Sequence, residues 1–314
     1  RQPFEITTLR RDVSTDGRRA TVAFTDDWAE DAARRDFRLN ALYADADGLI
    51  LDPTGAGYED ALAGRIVFVG EPEQRIREDY LRILRFYRFF AWYGRGAPDV
   101  AAVEACAALA EGVEQLSAER VSKELLKLLA APDPRAAVRL MDQAGVLGRV
   151  APQPESLTLF EAMVGISADP VLRLSALLPD EAEAVRAAAL KLRLSNAQRD
   201  RLVEAVAERI DPAMSEAETR AAIWRAGRQA VEDRLYRAWA SGADAGVVQR
   251  LLALATAWTP PKLPVGGKDL ARLGLQPGPE TGRLLKAFED GWIADDFPDH
   301  GHEARLKALM VRPG

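Results

Sequence analysis

Residues Arg77–Gly94 read REDYLRILRFYRFFAWYG. Arg82, Arg85 and Arg88 recur every third residue inside one of the most apolar stretches of the chain. On a helix, each step of three residues winds back about 60°. Asp79, Arg82, Arg85 and Arg88 therefore occupy one slowly winding side. Leu81, Ile83, Leu84, Phe86, Tyr87, Phe89, Phe90 and Trp92 cover much of the rest, and a helix that is apolar nearly all round is a buried one. Arginine is rarely buried without an acidic partner. Glu78 and Asp79, the carboxylates within the stretch, are too few for this row plus Arg75 and Arg77. Either the partners come from elsewhere in the fold, with the stems snorkelling, or the stripe lines a cleft that receives an anion.

The 314 residues suffice for two or three domains with real cores. Apolar residues make up 48% and charged residues 29%, an ordinary globular balance. The net charge of -6 excludes a chain coated in positive charge, so an anion or nucleic-acid site must be a local basic patch. Cys106 is the sole cysteine, which rules out an intrachain disulfide and suits a reducing cytoplasm. His300 and His302 are the only histidines and argue against a histidine zinc site or a Ser-His-Asp triad. No run of eighteen apolar residues and no signal peptide is visible. The opening RQPFEITTLR lacks an initiator methionine and already sits inside a strand-like pattern, so the sequence reads as the interior of a longer protein.

Residues 1–70 read as α+β. PFEITTLR predicts a strand, STDG (Ser14–Gly17) a turn, RRATVAF a second strand and DDWAEDAARRDF a helix. NALYADADGLILDP predicts strand, Asp-Gly turn, strand, followed by a Gly-rich loop, TGAGYEDALAG, and a short strand, RIVFVG. From Glu71 the strand signal stops. Helices are predicted over 71–94, 98–111, 117–130 and 134–147, and a further series runs to residue 311. Ser195 with Gln198 forms a capping box in that series. The expected architecture is α+β: a head over 1–70, with a mixed or antiparallel sheet and a helix, then an all-α neck over 71–150 and an all-α body and tail over 151–314.

Asp79 and Arg82, one helical turn apart, have a specific chemistry together. A carboxylate accepts from an exocyclic amino group, and an arginine donates to a ring nitrogen or carbonyl. Cytosine and adenine both place an amino group beside a ring acceptor, whereas guanine and uracil place a carbonyl beside an N–H. A fixed Asp/Arg pair accepts the first two bases and rejects the others, leaving Arg85 and Arg88 for phosphates.

Several segments, in order, resemble motifs of the tRNA nucleotidyltransferases, the CCA-adding enzymes, in the group that includes the bacterial poly(A) polymerases. FEITTLRRDVSTDGRRATVAFTDDW (Phe4–Trp28) looks like the family's strand and flexible loop. RRDFRLNALY (Arg34–Tyr43) resembles its RRDFTINAL motif, and LDPTGAGYEDALAGRIVFVG resembles the hinge-like segment that follows. EDYLRILRFYRF is similar to the EDxxRxxRxxR nucleotide-binding helix. ERVSKELLKLL (Glu119–Leu129) and PVGGKDLARLGLQPGPETGRLL resemble segments of the neck and tail. The resemblance spans most of the chain. It implies template-independent addition of C and A to the tRNA 3′ end from CTP and ATP, with two Mg2+ ions and release of pyrophosphate. It implies nucleotide binding by Arg35, ribose recognition and site architecture at Asp36 and Asn40, and base reading by Asp79 and Arg82. Arg85 and Arg88 align with further nucleotide-binding arginines. The family's GGxVRD segment and Asp-x-Asp metal pair lie upstream of FEITT and are absent from this sequence, so Glu5 is left as the catalytic and metal-binding position that aligns. Without that pair, the chain reads as a fragment unable to hold both metals. Arg38 stands where the family usually has Thr, and Val67 where it usually has a basic residue.

Other signals are double. Asp16–Arg19 (DGRR) is either a hairpin turn or the centre of the loop found in members that add A. VGGKDL lacks phosphate-loop spacing. GLQPGPETGRLL is either a Gly/Pro helix start or a turn holding an RNA phosphate. Lys123 and Lys127, one turn apart, either track an RNA backbone or form a solvated face. FEDGWIADDFPD (Phe288–Asp299) reads as plain acidic surface. The alternative functions are a poly(A) polymerase, a non-catalytic RNA-binding fragment, and a helical scaffold with a purely structural arginine row.

Overall fold

The structure is a computed structural model and describes residues 8–16, 19–152 and 156–311. Glu5 and the tip of the first hairpin lie outside the described residues. β1 (Arg10–Asp16) pairs antiparallel with β2 (Arg19–Phe24), Arg10 opposite Phe24 and Asp16 opposite Arg19. Of the predicted first strand, PFEITTLR, residues 3–7 lie outside the described residues, and Arg10 opens β1; Ser14–Asp16, expected in a turn, belong to β1.

α1 (Trp28–Ala33) starts on Asp27, whose carboxylate accepts from the Ala29 N–H at 2.8 Å. A 3-10 turn, Arg38–Asn40, follows, and β3 (Tyr43–Ala44) and β4 (Ile50–Leu51) make the short predicted hairpin. The Gly-rich segment expected as a loop is instead α2 (Gly57–Ala63). Asp52 accepts from the N–H groups of Thr54, Gly55 and Tyr58 and so launches it. Gly64, at φ 69°, ends it in the left-handed conformation that glycine reaches without strain. RIVFVG forms no full strand: Phe68 makes a single antiparallel bridge to Phe37.

The main correction concerns 71–94. The periodicity predicts one helix. The structure has two, α3 (Pro72–Glu78) and α4 (Leu81–Tyr93), broken at Asp79 and Tyr80. Asp79 is extended, at φ -157° and ψ 106°, and its Oδ1 accepts from the Leu81 N–H at 3.1 Å. It thus works as a start signal for α4, as short acidic side chains do when they compete for backbone N–H groups. Tyr80 is seated over Gly112, in the 3-10 helix Ala110–Gln115, where any Cβ would meet the Tyr80 ring at 2.0 Å. The ring closes down on a position that only glycine fits.

The apolar part of α4 behaves as its pattern predicts. Ile83, Phe86 and Tyr87 are fully buried, as are Phe37 and Ile76. The Phe37 ring lies 4.9 Å from Phe68 and 5.0 Å from Phe89, which joins the RRDF segment to α4. Burying each such ring contributes about 2–3 kcal/mol relative to leaving it in water.

The helices continue with α5 (Val100–Ala108), α6 (Ala118–Leu129), α7 (Arg135–Gln143), α8 (Leu147–Val150), α9 (Thr158–Ile166), α10 (Pro170–Ser175), α11 (Ala182–Lys191) and α12 (Asn196–Ala207). The Ser195/Gln198 box opens α12, each residue accepting from the other's backbone N–H. Fully buried Arg173 donates to the carbonyls of Leu129, Ala131 and Ser167, tying the end of α6 to α9 and α10.

The chain divides into two compact units, residues up to Ala207 and residues from Glu208 onward. The second contains α13 (Glu216–Ala226), α14 (Arg228–Ala240), α15 (Ala245–Ala257), α16 (Gly267–Arg272), α17 (Pro279–Ala294) and α18 (His302–Val311). One of its cores gathers Ile223, Val231, Leu235 and Val248, and another Leu270, Leu284, Phe288, Trp292 and Leu306. FEDGWIADDFPD is therefore not plain surface. Phe288, Trp292 and Ile293 are the buried face of α17, Asp290 is on its exposed side, and Asp295, Asp296 and Asp299 come after the helix ends.

Candidate functional site

The arginine stripe is divided between two neighbours. Arg82 donates to Glu78 Oε2 at 2.5 Å and to the Arg75 carbonyl at 2.7 Å, and reaches the Arg34 carbonyl at 3.4 Å. Arg85 donates through Nε to Asp36 Oδ2 at 2.5 Å. Arg88 turns toward α6 and donates through Nε to Glu124 Oε2 at 2.5 Å, with its guanidinium 4.5 Å from the Phe89 ring centre. Asp79 accepts from Arg120 Nη2 at 2.6 Å. The partners that sequence alone leaves open thus come from both sides of α4. Asp79 and Arg82, expected one turn apart on a single helix, lie across a helix break and are held by different partners.

Asp36 is buried and also accepts from Asn40 Nδ2 and the Phe37 N–H, each at 3.0 Å. Burial pushes its carboxyl up. Arg85 and these donors outweigh burial and hold it below the usual carboxylate range. Asp36 and Asn40 therefore form one unit with Arg85, while the Arg35 carbonyl accepts from buried Arg75 at 2.7 Å.

Asp31 is a site residue that sequence reasoning misses. It is fully buried and accepts from Arg34 Nε at 2.8 Å, Arg35 Nη2 at 2.8 Å, the Tyr43 hydroxyl at 2.7 Å and the Arg10 N–H at 3.0 Å. Burial opposes its ionisation, and the four donors overcome it, leaving the carboxyl well below its ordinary value. Burial and the Asp31 hydrogen bond together push the Tyr43 hydroxyl up to about 12. Asp31 thus joins β1, α1 and β3 and orients Arg35. Its signal is the spacing: a carboxylate three and four residues before two arginines on a predicted helix.

Arg38, the departure from RRDFTINAL, has a local answer. Its Nε lies 2.8 Å from Oδ2 of fully buried Asp60, as an ion pair not aligned as a hydrogen bond, and Arg65 Nε donates to the other oxygen at 2.8 Å. Val67 contributes its carbonyl, which accepts from the Arg38 N–H at 2.9 Å. Lys123 and Lys127 are exposed on α6. Among the described residues, no three His, Cys, Asp or Glu side chains come together as a metal site.

Comparison with known proteins identifies the family. A family model for the Poly A polymerase head domain matches residues 1–67, and one described as a probable RNA and SrmB-binding site of polymerase A matches 99–157. Mitochondrial CCA tRNA nucleotidyltransferase 1 of Mus musculus is 33% identical over 309 residues, covering 92% of this chain and 68% of that protein. The CCA-adding enzyme of Streptococcus sanguinis is 30% identical over 314 residues, covering 94% and 77%. The chain belongs to the CCA tRNA nucleotidyltransferase family.

The CCA-adding enzyme of Bacillus stearothermophilus, solved in complex with CTP, superposes with a TM-score of 0.73 at 25% identity over 97% of this chain and 77% of that one. A Thermotoga maritima CCA-adding enzyme complexed with tRNA shares the fold, with a TM-score of 0.65. A CCA tRNA nucleotidyltransferase of this kind has an α+β head and a helical remainder, and the structure shows both. No helix among the described residues is long and apolar enough to cross a membrane.

Proposed function

We propose that this chain adds C and A nucleotides to the 3′ end of tRNA from CTP and ATP without a nucleic-acid template, releasing pyrophosphate. One observation supports this reading more than any other. Arg85 and Arg88 engage their carboxylates through Nε alone. Among the described residues the Nη groups of both guanidiniums have no hydrogen-bond partner, so they can donate to a triphosphate while Asp36 and Glu124 hold the side chains in place. A guanidinium anchored at one edge and open at the other suits phosphate recognition.

Asp79 and Arg82 read the base edge in this proposal. Asp79 accepts from the amino group of C or A, and Arg82 donates to the neighbouring ring nitrogen. Arg120 and Glu78 occupy these two side chains in the structure. Both pairs keep some solvent contact, so a nucleotide can share or displace those partners without stranding a charge in the interior. Arg35, oriented by Asp31, and the Asp36–Asn40 unit serve the sugar and phosphate side. Lys123 and Lys127 on α6 serve the RNA backbone. The functional division is a head over 1–70, a neck over 71–150 and a body and tail over 151–314, with RNA on the last two. The cytoplasm is the proposed compartment, supported by the single, buried Cys106.

Mg2+ is the metal proposed for the transfer step. The described residues offer no cluster that fits it, and Glu5 lies outside them. The named side chains therefore act in binding and selection.

The test is calorimetric binding of CTP, ATP, GTP and UTP to the chain, followed by incorporation into tRNA lacking CCA. Binding of CTP and ATP at least tenfold tighter than GTP and UTP is expected. ATP-only, processive tailing of any RNA would instead assign the chain to poly(A) synthesis.

A further inference from the structure

Trp92 lies in the last turn of α4. Seven residues after Arg85, it returns to within about 20° of it around α4. Trp92 is 42% exposed, although the helix around it is largely buried. The indole N–H donates to the Lys127 carbonyl at 2.7 Å, which spends the ring's one polar group on the last turn of α6. Lys127 and Lys123 are exposed on that helix, and neither has an ion-pair partner among the described residues. A tethered, partly exposed aromatic side chain near cations without ion-pair partners matches the chemistry of single-stranded nucleic acid, in which bases stack on aromatic rings and phosphates meet lysines.

We propose that Trp92 is a stacking platform for an unpaired nucleotide of the RNA whose 3′ end is extended. The inference rests on the base-reading role of Asp79 and Arg82. Trp92 lies ten residues beyond Arg82, about 15 Å along the helix. The platform therefore holds the strand behind the growing end and leaves the incoming base to Asp79 and Arg82.

The test compares the full wild-type chain with Trp92→Ala, Trp92→Phe and Lys127→Gln. Anisotropy of labelled tRNA lacking CCA, and of a labelled single-stranded oligonucleotide, reports RNA binding; calorimetry reports CTP. Trp92→Ala weakens both RNAs about tenfold, and Trp92→Phe stays within about threefold of wild type. CTP affinity is unchanged in both. Lys127→Gln lowers the salt slope of binding by about one. Tryptophan emission of wild type, minus that of Trp92→Phe, is quenched by the oligonucleotide. The proposal is overturned if Trp92→Ala, folded with an unchanged Tm, binds RNA like wild type. It is equally overturned if the difference emission ignores RNA, a measurement that stands even where the alanine variant does not fold. A change in self-association without a change in RNA affinity also overturns it and marks the face as a protein contact. Failure of the wild-type chain to bind tRNA at all sinks the functional reading itself.

Discussion

Arg85 on α4 donates its Nε to Asp36 Oδ2 at 2.5 Å, across 49 residues of sequence. This bond joins the RRDF segment to the arginine stripe. Asp36→Asn leaves the Arg85 guanidinium without its carboxylate in a mostly enclosed position. A loss of about 2 kcal/mol is expected, below the roughly 3–5 kcal/mol typical of fully buried pairs because Arg85 keeps contact with water. Urea denaturation checks the stability, and the same variant should bind CTP at least fivefold more weakly.

The acid limit of stability follows from Asp36 and Asp31. Both are held below the usual carboxylate range in the folded chain. A depressed folded value contributes stability that is fully present above the unfolded value, about 3.9, and is lost as pH falls through the lower folded value. Stability from these two groups should be constant above about pH 5 and decline below about pH 4. Denaturation midpoints measured from pH 3 to 7 test this. In Asp36→Asn the slope below pH 4 should be shallower.

Asp31→Asn keeps the shape but removes the charge that faces Arg34 and Arg35. Arg35 is expected to lose its fixed orientation, raising KM for CTP and ATP about tenfold while kcat falls less. A purely structural role would lower Tm and leave the KM of the folded fraction unchanged. Steady-state kinetics below the Tm of the variant separates the two outcomes.

The helix break gives a sharper test of base selection. Asp79→Ala should lose discrimination of C and A over G and U more than it loses triphosphate affinity. Arg120→Met frees the Asp79 carboxylate and should relax selection to a smaller degree. Competition binding with all four nucleotides measures both. An equal loss for all four bases would count against the reading role.

Gly112→Ala probes the same break from behind. The added methyl meets the Tyr80 ring, and overpacking of this kind costs about 1–3 kcal/mol. Because Tyr80 follows Asp79, the substitution should lower Tm and weaken C/A selection together.

Much of the fold and the site is legible in the residues. The period of REDYLRILRFYRFF announces a buried helix with one charged side, and the order of motifs points to the family. The Ser195/Gln198 box marks a helix start that the structure contains. Local signals mislead where two of them compete. TGAGYEDALAG carries enough glycine to read as a loop, yet Asp52 caps it into α2. FEDGWIADDFPD reads as acidic surface, yet its aromatic residues fall on one helical face.

By itself, the sequence determined that the arginines of this helix needed partners, since charge in an apolar helix is intolerable without them. It also determined which side of the helix they share, through the 3.6-residue period. Only the tertiary structure decided who those partners are: Asp36 from the head for Arg85, Glu124 from α6 for Arg88, and Arg120 for Asp79. Those pairs span 36 to 49 residues of chain. No local pattern encodes such distances, because they are set by how helices pack. The break at Asp79 has the same origin. Helical periodicity runs straight through it, and it becomes visible only when Tyr80 finds the bare backbone of Gly112.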